Sequence, residues 1–253
     1  MTVSVGLIIG ILVFPGCERE RWEVEGEVRA PDADVAAALG DTSHQDNSQL
    51  GPKDIPTIHY PRSLRPCCAF GHDLKVKVDG MPVPGVEIGN VLGPDQVGKH
   101  RYDNGFLSLE MSDPREFVDD ENNGLVYTCR GGFVDLAHVR DNADNTLALA
   151  AAVGRLMDTG GVFEVPPQGA AMRVRVAAVP PEKIHKYHRG RLAVEMAKWL
   201  GFQLSICHEI ATWYGYASLA EWPEKISAFS PEDLYSNQLG ARIAGAIALG
   251  RGA

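Results

Sequence analysis

At 253 residues, with 45% hydrophobic and 23% charged residues, the chain is long enough to bury a core and has an ordinary globular composition. Its 24 Lys and Arg against 33 Asp and Glu leave a formal charge of −9. That balance argues against nucleic acid as a partner, because phosphate binding needs clustered cations.

The N-terminus comes first. Met1 to Gly16 carry no charge, and Gly6 to Phe14 is an apolar run. It is too short to span a bilayer and has the length of a signal-peptide core. It ends at Phe14-Pro15-Gly16-Cys17, followed at once by Glu18-Arg19-Glu20-Arg21. This resembles a bacterial lipobox, in which a small residue precedes a Cys that is lipidated after cleavage. Residues 1–17 are therefore expected to be a lipoprotein signal peptide with Cys17 as its lipidation site. The implied location is the outer or inner membrane of a Gram-negative bacterium, facing the periplasm, with the lipid anchor as the membrane contact. Two features depart from the pattern: no Lys or Arg stands near Met1, and Phe14 and Pro15 are unusual in a lipobox. The alternative is a plain signal peptide with an incidental Cys.

Residues 18–55 are rich in Glu, Asp, Ala, Gln, Ser and Gly without an apolar period, which predicts a disordered tether. Residues 56–253 are expected to form a single globular α+β domain, with a β- and loop-rich first half packed on three main helices and a small β-hairpin. Leu74 to Val78 and Leu107 to Met111 alternate like strands, and Gly124 to Tyr127 reads as a third. Leu136, Val139, Ala143, Leu147, Ala150 and Val153 recur at helical spacing, predicting a helix over 133–158 that ends at Gly160-Gly161. Val162–Val165 and Met172–Val179 follow as the hairpin. Pro180-Pro181-Glu182 opens a helical segment to Tyr216 with an expected kink at Gly201. Ser230-Pro231-Glu232-Asp233 is a helix start, with a capping hydroxyl, a proline at the first helical position and acids at the positive end of the dipole. The chain stops abruptly at Arg251-Gly252-Ala253, as a fragment of a longer protein would.

Three helices carry polar residues where apolar ones are expected. Asp135, His138, Asp141, Asn142 and Asn145 form one stripe of the first, with Asp144 beside it. These residue types are poor helix formers, and such locally unfavourable choices are expected where a site is built. The second helix carries Cys207-His208-Glu209 inside an apolar stretch, where an ionisable pair must be hydrogen-bonded, paired or metal-bound. The zinc-peptidase pattern fails here, because Thr212 stands where the second His belongs. Glu195 shares nearly the same face as Glu209. The third helix offers Asp233, Ser236 and Asn237. His138, Asp141, His208 and Asp233 are thus candidate ligands of a divalent metal, with His208 and Glu209 as candidate catalytic residues. The donor set suits Zn, Fe or Mn without choosing among them. Against this stands the bland reading, in which the polar stripes are hydrogen-bonded core networks and an exposed helix start.

Cys129 is a second candidate nucleophile, because a thiol at a Gly-rich turn ahead of a helix has a lowered pKa. His138 or His208 would serve as its base. With Cys17 lipidated, Cys67, Cys68, Cys129 and Cys207 remain as disulfide candidates. A bridge from Cys129 to Cys67 or Cys68 is expected, and buried free thiols are the alternative.

The segments RPCCAFG from Arg65, TCRGGFVDLAHVRD from Thr128, HEIATWYG from His208 and FSPEDLYSN from Phe229 resemble an uncharacterised family of proteobacterial lipoproteins, a domain of unknown function. The likeness spans roughly residues 60–250. It implies an envelope location and a continuation past the last helix, and it implies no activity. Three functions stay open: a metal-dependent envelope hydrolase acting on a small molecule or polymer, a non-catalytic binding or structural lipoprotein, and a thiol hydrolase.

Overall fold

The computed structural model describes residues 5–6, 60–61, 65, 75–78, 81–87, 91–98, 100, 102, 123–165, 172–216 and 224–249. Its strands are β1 (Val5–Gly6), β2 (Lys75–Val78), β3 (Met81–Glu87), β4 (Val91–Leu92), β5 (Leu125–Thr128), β6 (Gly132–Asp135), β7 (Gly161–Val165) and β8 (Met172–Val176). The helices among the described residues are α1 (Leu136–Leu156), α2 (Pro181–Tyr187), α3 (Arg189–Trp213) and α4 (Pro231–Ala248). The class is mixed α+β with a helical C-terminal part, as the residue pattern predicts. None of these helices is long and apolar enough to cross a membrane. The expected strand at Leu107–Met111, the tether, Cys17, Cys67 and Cys68 lie outside the described residues.

The chain divides into two compact units. One comprises residues 1–60, 145–203 and 241–253; the other comprises 61–144 and 204–240. In the first unit β1, β8 and β7 form an antiparallel sheet in that order. Val165, Met172, Val174 and Val176 are buried while Arg173 and Arg175 are exposed, the alternation of a half-buried strand. The helical core of this unit is apolar: Ala148, Leu149 and Val153 of α1, Leu192, Ala197 and Leu200 of α3, and Ala241 and Ala244 of α4 are buried.

Two helix boundaries differ from the expectation. The first helix starts at Leu136, not Phe133, because Phe133 and Val134 pair with Tyr127 and Val126 across the β5–β6 hairpin. The long segment breaks at His188, whose φ of 64° is left-handed, and runs unbroken through Gly201. Gly201 permits close packing instead: a Cβ there would lie 2.8 Å from Thr146 Oγ1. Arg189 opens α3 at the end where a cation is unfavourable. It reaches the end of α1 instead, 2.5 Å from Asp158 and 3.3 Å from the Gly154 carbonyl, where positive charge is favoured.

In the second unit, β4 pairs parallel with β5, and β5 pairs antiparallel with β6. The turn between β5 and β6 is fixed by Thr128, whose hydroxyl accepts from Gly131 N at 3.0 Å and donates to the Gly132 carbonyl at 2.9 Å. β6 runs straight into α1. Along α4, a Cβ on Gly240 would sit inside the van der Waals envelope of the Val139 carbonyl, so here the backbones of α1 and α4 nearly touch.

Candidate metal centre

The junction of β6 and α1 makes the first part of the site. A helix start leaves backbone N–H groups without partners. Asp135 satisfies two of them, its Oδ1 accepting from Ala137 N at 2.7 Å and His138 N at 3.3 Å. Its own N–H donates to Ser236 Oγ on α4 at 2.8 Å. The cap therefore fixes a buried carboxylate one turn ahead of His138.

The start of α4 supplies the second part. Ser230 Oγ accepts from Asp233 N at 3.3 Å, which seats Asp233 in the first helical turn. One turn on, Asn237 Oδ1 lies 2.9 Å from His138 Nδ1 and also accepts from the amide of Asn142. Asn142 is held in turn by donating to the His138 carbonyl at 3.2 Å. An oxygen that takes both contacts is an acceptor only, so Nδ1 of His138 carries the hydrogen. That leaves Nε2 facing Asp233 Oδ2, 3.5 Å away. One ligand atom each from Asp135, His138 and Asp233 lie within 4.8 Å of one another, and all three residues are buried.

The electrostatics match a cation site. Burial opposes a charge on His138, but Asp233, Asp135, Glu209 and Asp141 outweigh it and raise the imidazole to about 10. Burial raises the Asp233 carboxyl to about 8 against the pull of His138, with Asp135 and Glu209 pushing it further up. The acids crowd one another, and protons on His138 and Asp233, or a cation in their place, relieve the repulsion.

His208 lies beside the triad, its ring centroid 6.1 Å from that of His138 and 5.6 Å from that of Tyr216. Burial and the neighbouring His138 lower it to about 3, so it is neutral. Glu209 is buried, and its Oε2 accepts from Phe229 N at 2.8 Å. Phe229 has φ of 63°, a strained conformation for a bulky residue, and Glu209 holds it there.

The remaining candidates go elsewhere. Asp141 binds Arg65, with 2.6 Å from Oδ1 to the guanidinium and 2.9 Å from Oδ2 to the Arg65 N–H. Burial lifts its carboxyl to about 7 although Arg65 pulls it down. Asp144 takes the same guanidinium at 3.3 Å and His100 Nε2 at 2.7 Å. Glu195 pairs with Lys198 at 2.7 Å. Cys129 is exposed in the β5–β6 turn, not at a helix start, and is a free thiol; Cys67 and Cys68, its expected partners, lie outside the described residues. Cys207 is free as well, and burial pushes its thiol up.

The structure thus brings the candidate ligands His138 and Asp233 together, sets His208 beside them, and gives Asp141 to Arg65. Asp135 enters the triad without having been singled out as a ligand. Its signal was an Asp three residues ahead of a His, where a Gly-rich turn meets a helix. Arg65 and His100 carried no signal of their partnership, which spans 76 and 44 residues of chain.

A model of the family described as "Protein of unknown function (DUF4056)" matches residues 55–252. No curated protein and no solved structure matches the chain.

Proposed function

We propose, from the premise that the chain belongs to the DUF4056 family, that it is a divalent-metal hydrolase of the bacterial envelope. The observation that carries this reading is the buried triad of Asp135, His138 and Asp233. Two carboxylates and an imidazole suit Zn, Fe or Mn. Three protein donors would hold the metal, the number typical of catalytic rather than structural sites. The outer contacts support it: Asn237 sets the His138 tautomer, and Ser236 and Ser230 hold the backbone of the two acids. Held by these residues, a metal would supply the Lewis acidity that makes water a nucleophile at neutral pH. Glu209 is the residue we assign as the base that takes the water's proton. Its Oε2 is spent on Phe229, while Oε1 is buried without a hydrogen-bond partner among the described residues.

Elemental analysis of protein purified without chelator tests the centre. About one equivalent of metal per chain is expected, lost in His138→Gln and Asp233→Asn while the folded circular-dichroism signal persists. No metal in the parent protein sinks the assignment. The near-complete burial of the triad favours one second reading, a non-catalytic lipoprotein whose metal is structural. In that case metal removal unfolds the chain and Glu209→Gln changes no reaction rate.

The envelope location rests on the uncharged segment before Cys17 and the acidic and basic residues after it. Globomycin treatment of cells expressing the native gene is expected to accumulate an uncleaved, lipidated precursor. Normal processing under the drug refutes the anchor.

A further inference from the structure

Buried polar atoms without a hydrogen-bond partner are rare in folded proteins, and each calls for an explanation. Four of them lie on α3 and α4: His208 Nδ1, Glu209 Oε1, Thr212 Oγ1 and Asn237 Nδ2 have no hydrogen-bond partner among the described residues. All four residues are at least nine-tenths buried. At about 100° per residue, Thr212 points about 40° from His208 and about 60° from Glu209. The three side chains therefore share one polar sector of α3, with Thr212 in its middle and one turn nearer the helix end. His208 on that sector faces His138, and Asn237 holds His138 from α4.

The hydrogen-bonding character of these atoms is constrained. Asn237 Oδ1 already accepts from His138 and Asn142, so its Nδ2 is a donor only. Glu209 Oε1 is an acceptor only while the carboxylate is ionised. Thr212 Oγ1 and the neutral imidazole of His208 can act either way. None of the four brings a positive charge. Beside them stand Asp135, Asp233 and His138, and the buried guanidinium of Arg65 is committed to Asp141 and Asp144. A phosphate ester would bring only acceptor oxygens, which leave the acceptor Glu209 Oε1 without a donor. An amide brings an acceptor carbonyl and a donor N–H, and no charge.

We infer that the substrate is a neutral carboxamide, its carbonyl taken by the donors Asn237 and Thr212 and its N–H by Glu209. The inference rests on the metal-hydrolase reading and names the substrate class of that same site. The reaction balances without a further reactant. Glu209 takes a proton from water, the oxygen adds to the carbonyl carbon, the C–N bond breaks, and the proton passes from Glu209 to the leaving nitrogen. The acid's remaining proton passes to the amine, so the products are a carboxylate and an ammonium ion. In this reading Thr212 and Asn237 donate to the oxygen on which charge develops, the place where fixed donors contribute most.

Calorimetric titration of the zinc-loaded full chain with acetohydroxamate and, separately, with inorganic phosphate tests this. Acetohydroxamate pairs a carbonyl and an N–H with an oxygen that binds metals. It is expected to bind at least about tenfold more tightly than phosphate. Thr212→Val is expected to weaken it about fivefold to tenfold, the worth of one hydrogen bond. Thr212→Ser is expected to restore it, with metal content constant throughout. Phosphate binding as tightly as the hydroxamate overturns the inference. So does unchanged affinity in a Thr212→Val protein that retains its metal, since the four atoms would then hold only water. A chain that takes up no zinc fails in the metal assay before any titration, and there the metal reading falls and the substrate class with it.

Discussion

The helices α1, α3 and α4 each change character along their length, and the change falls where the two compact units divide. In one unit their buried positions are mainly apolar, among them Ala148, Leu149 and Val153, Leu192, Ala197 and Leu200, and Ala241 and Ala244, with Asn145, Thr146 and Arg191 as exceptions. In the other they are mainly polar, among them His138, Asp141 and Asn142, Ser205, His208, Glu209 and Thr212, and Asp233, Ser236 and Asn237, with Ala137, Ala143 and Leu204 as exceptions. The apolar stretches gain stability simply by leaving water. The polar stretches pay for burial in desolvation, and only partners or a cation return it. One set of helices thus carries a region built for stability and a region built at its expense, which is how strained or costly residues persist at functional sites.

The largest effect that separates the two regions is expected at Arg65. Arg65→Ala leaves Asp141 and Asp144 buried without their guanidinium, and breaking a buried pair this way costs about 3–5 kcal/mol. Chemical denaturation measures it. A loss below about 1 kcal/mol, the range of a surface pair, would mean that the network is solvated and that the polar region is not costly. Leu149→Ala in the apolar region is expected to cost about 3 kcal/mol by the cavity it opens, with no loss of bound metal. Loss of metal in that variant would erase the functional distinction between the regions.

Asn237→Leu is next. It removes the acceptor that fixes the His138 tautomer, and outer partners of this kind are worth about 10–100-fold in metal affinity. Competition against a chelator measures the change, and an unaltered affinity means that Nε2 of His138 is not a ligand.

The smallest effect is a drift of metal-free stability with pH. His138 is raised to about 10, so the folded state holds its extra proton above the ordinary imidazole range. That contribution is complete below about pH 6.5 and is lost as pH climbs toward 10. Asp233, raised to about 8, and Asp141, raised to about 7, also keep protons that the unfolded chain has already released. Both add to the same downward slope. His208, lowered to about 3, is neutral in both states over this window and contributes nothing. Melting temperatures of chelator-treated protein should therefore fall between pH 7 and 9.5. The fall should be shallower with metal bound, because the cation replaces the proton. It is a small effect because a centre that opens slightly rehydrates its charges. A rise across that range would reverse the picture of a site that requires positive charge.

The polar region was legible where local chemistry was at odds with local structure. Asp, His and Asn in a helical stripe stand out because Lys, Glu and Gln would fill an ordinary solvated face, which points to His138, and an ionisable pair inside an apolar helix points to His208 and Glu209. The hairpin and the start of α4 were legible for the same local reasons, alternation at Val174 and Val176 and a Ser-Pro start at Ser230. What depends on distant chain was not. Nothing near Asp141 says that its carboxylate belongs to Arg65, 76 residues away. The break at His188 also left no mark, because no Gly or Pro stands there; a His takes the left-handed conformation unannounced. Asp135 was read as helix because its apolar neighbours fit the helical period, while their pairing with β5 makes them strand.

Gly240 carries a consequence for the tolerance of the whole centre. Because the chain at Gly240 abuts the Val139 carbonyl, the gap between α1 and α4 is gauged by main chain, which cannot rotate aside as a side chain can. Asp233 and His138 sit on these same two rods, so their separation is machined by a hydrogen atom where a methyl group would stand. A carbon added there would act as a wedge, levering a carboxylate from an imidazole without touching either. The calibration of this centre lies partly in a residue that has no side chain.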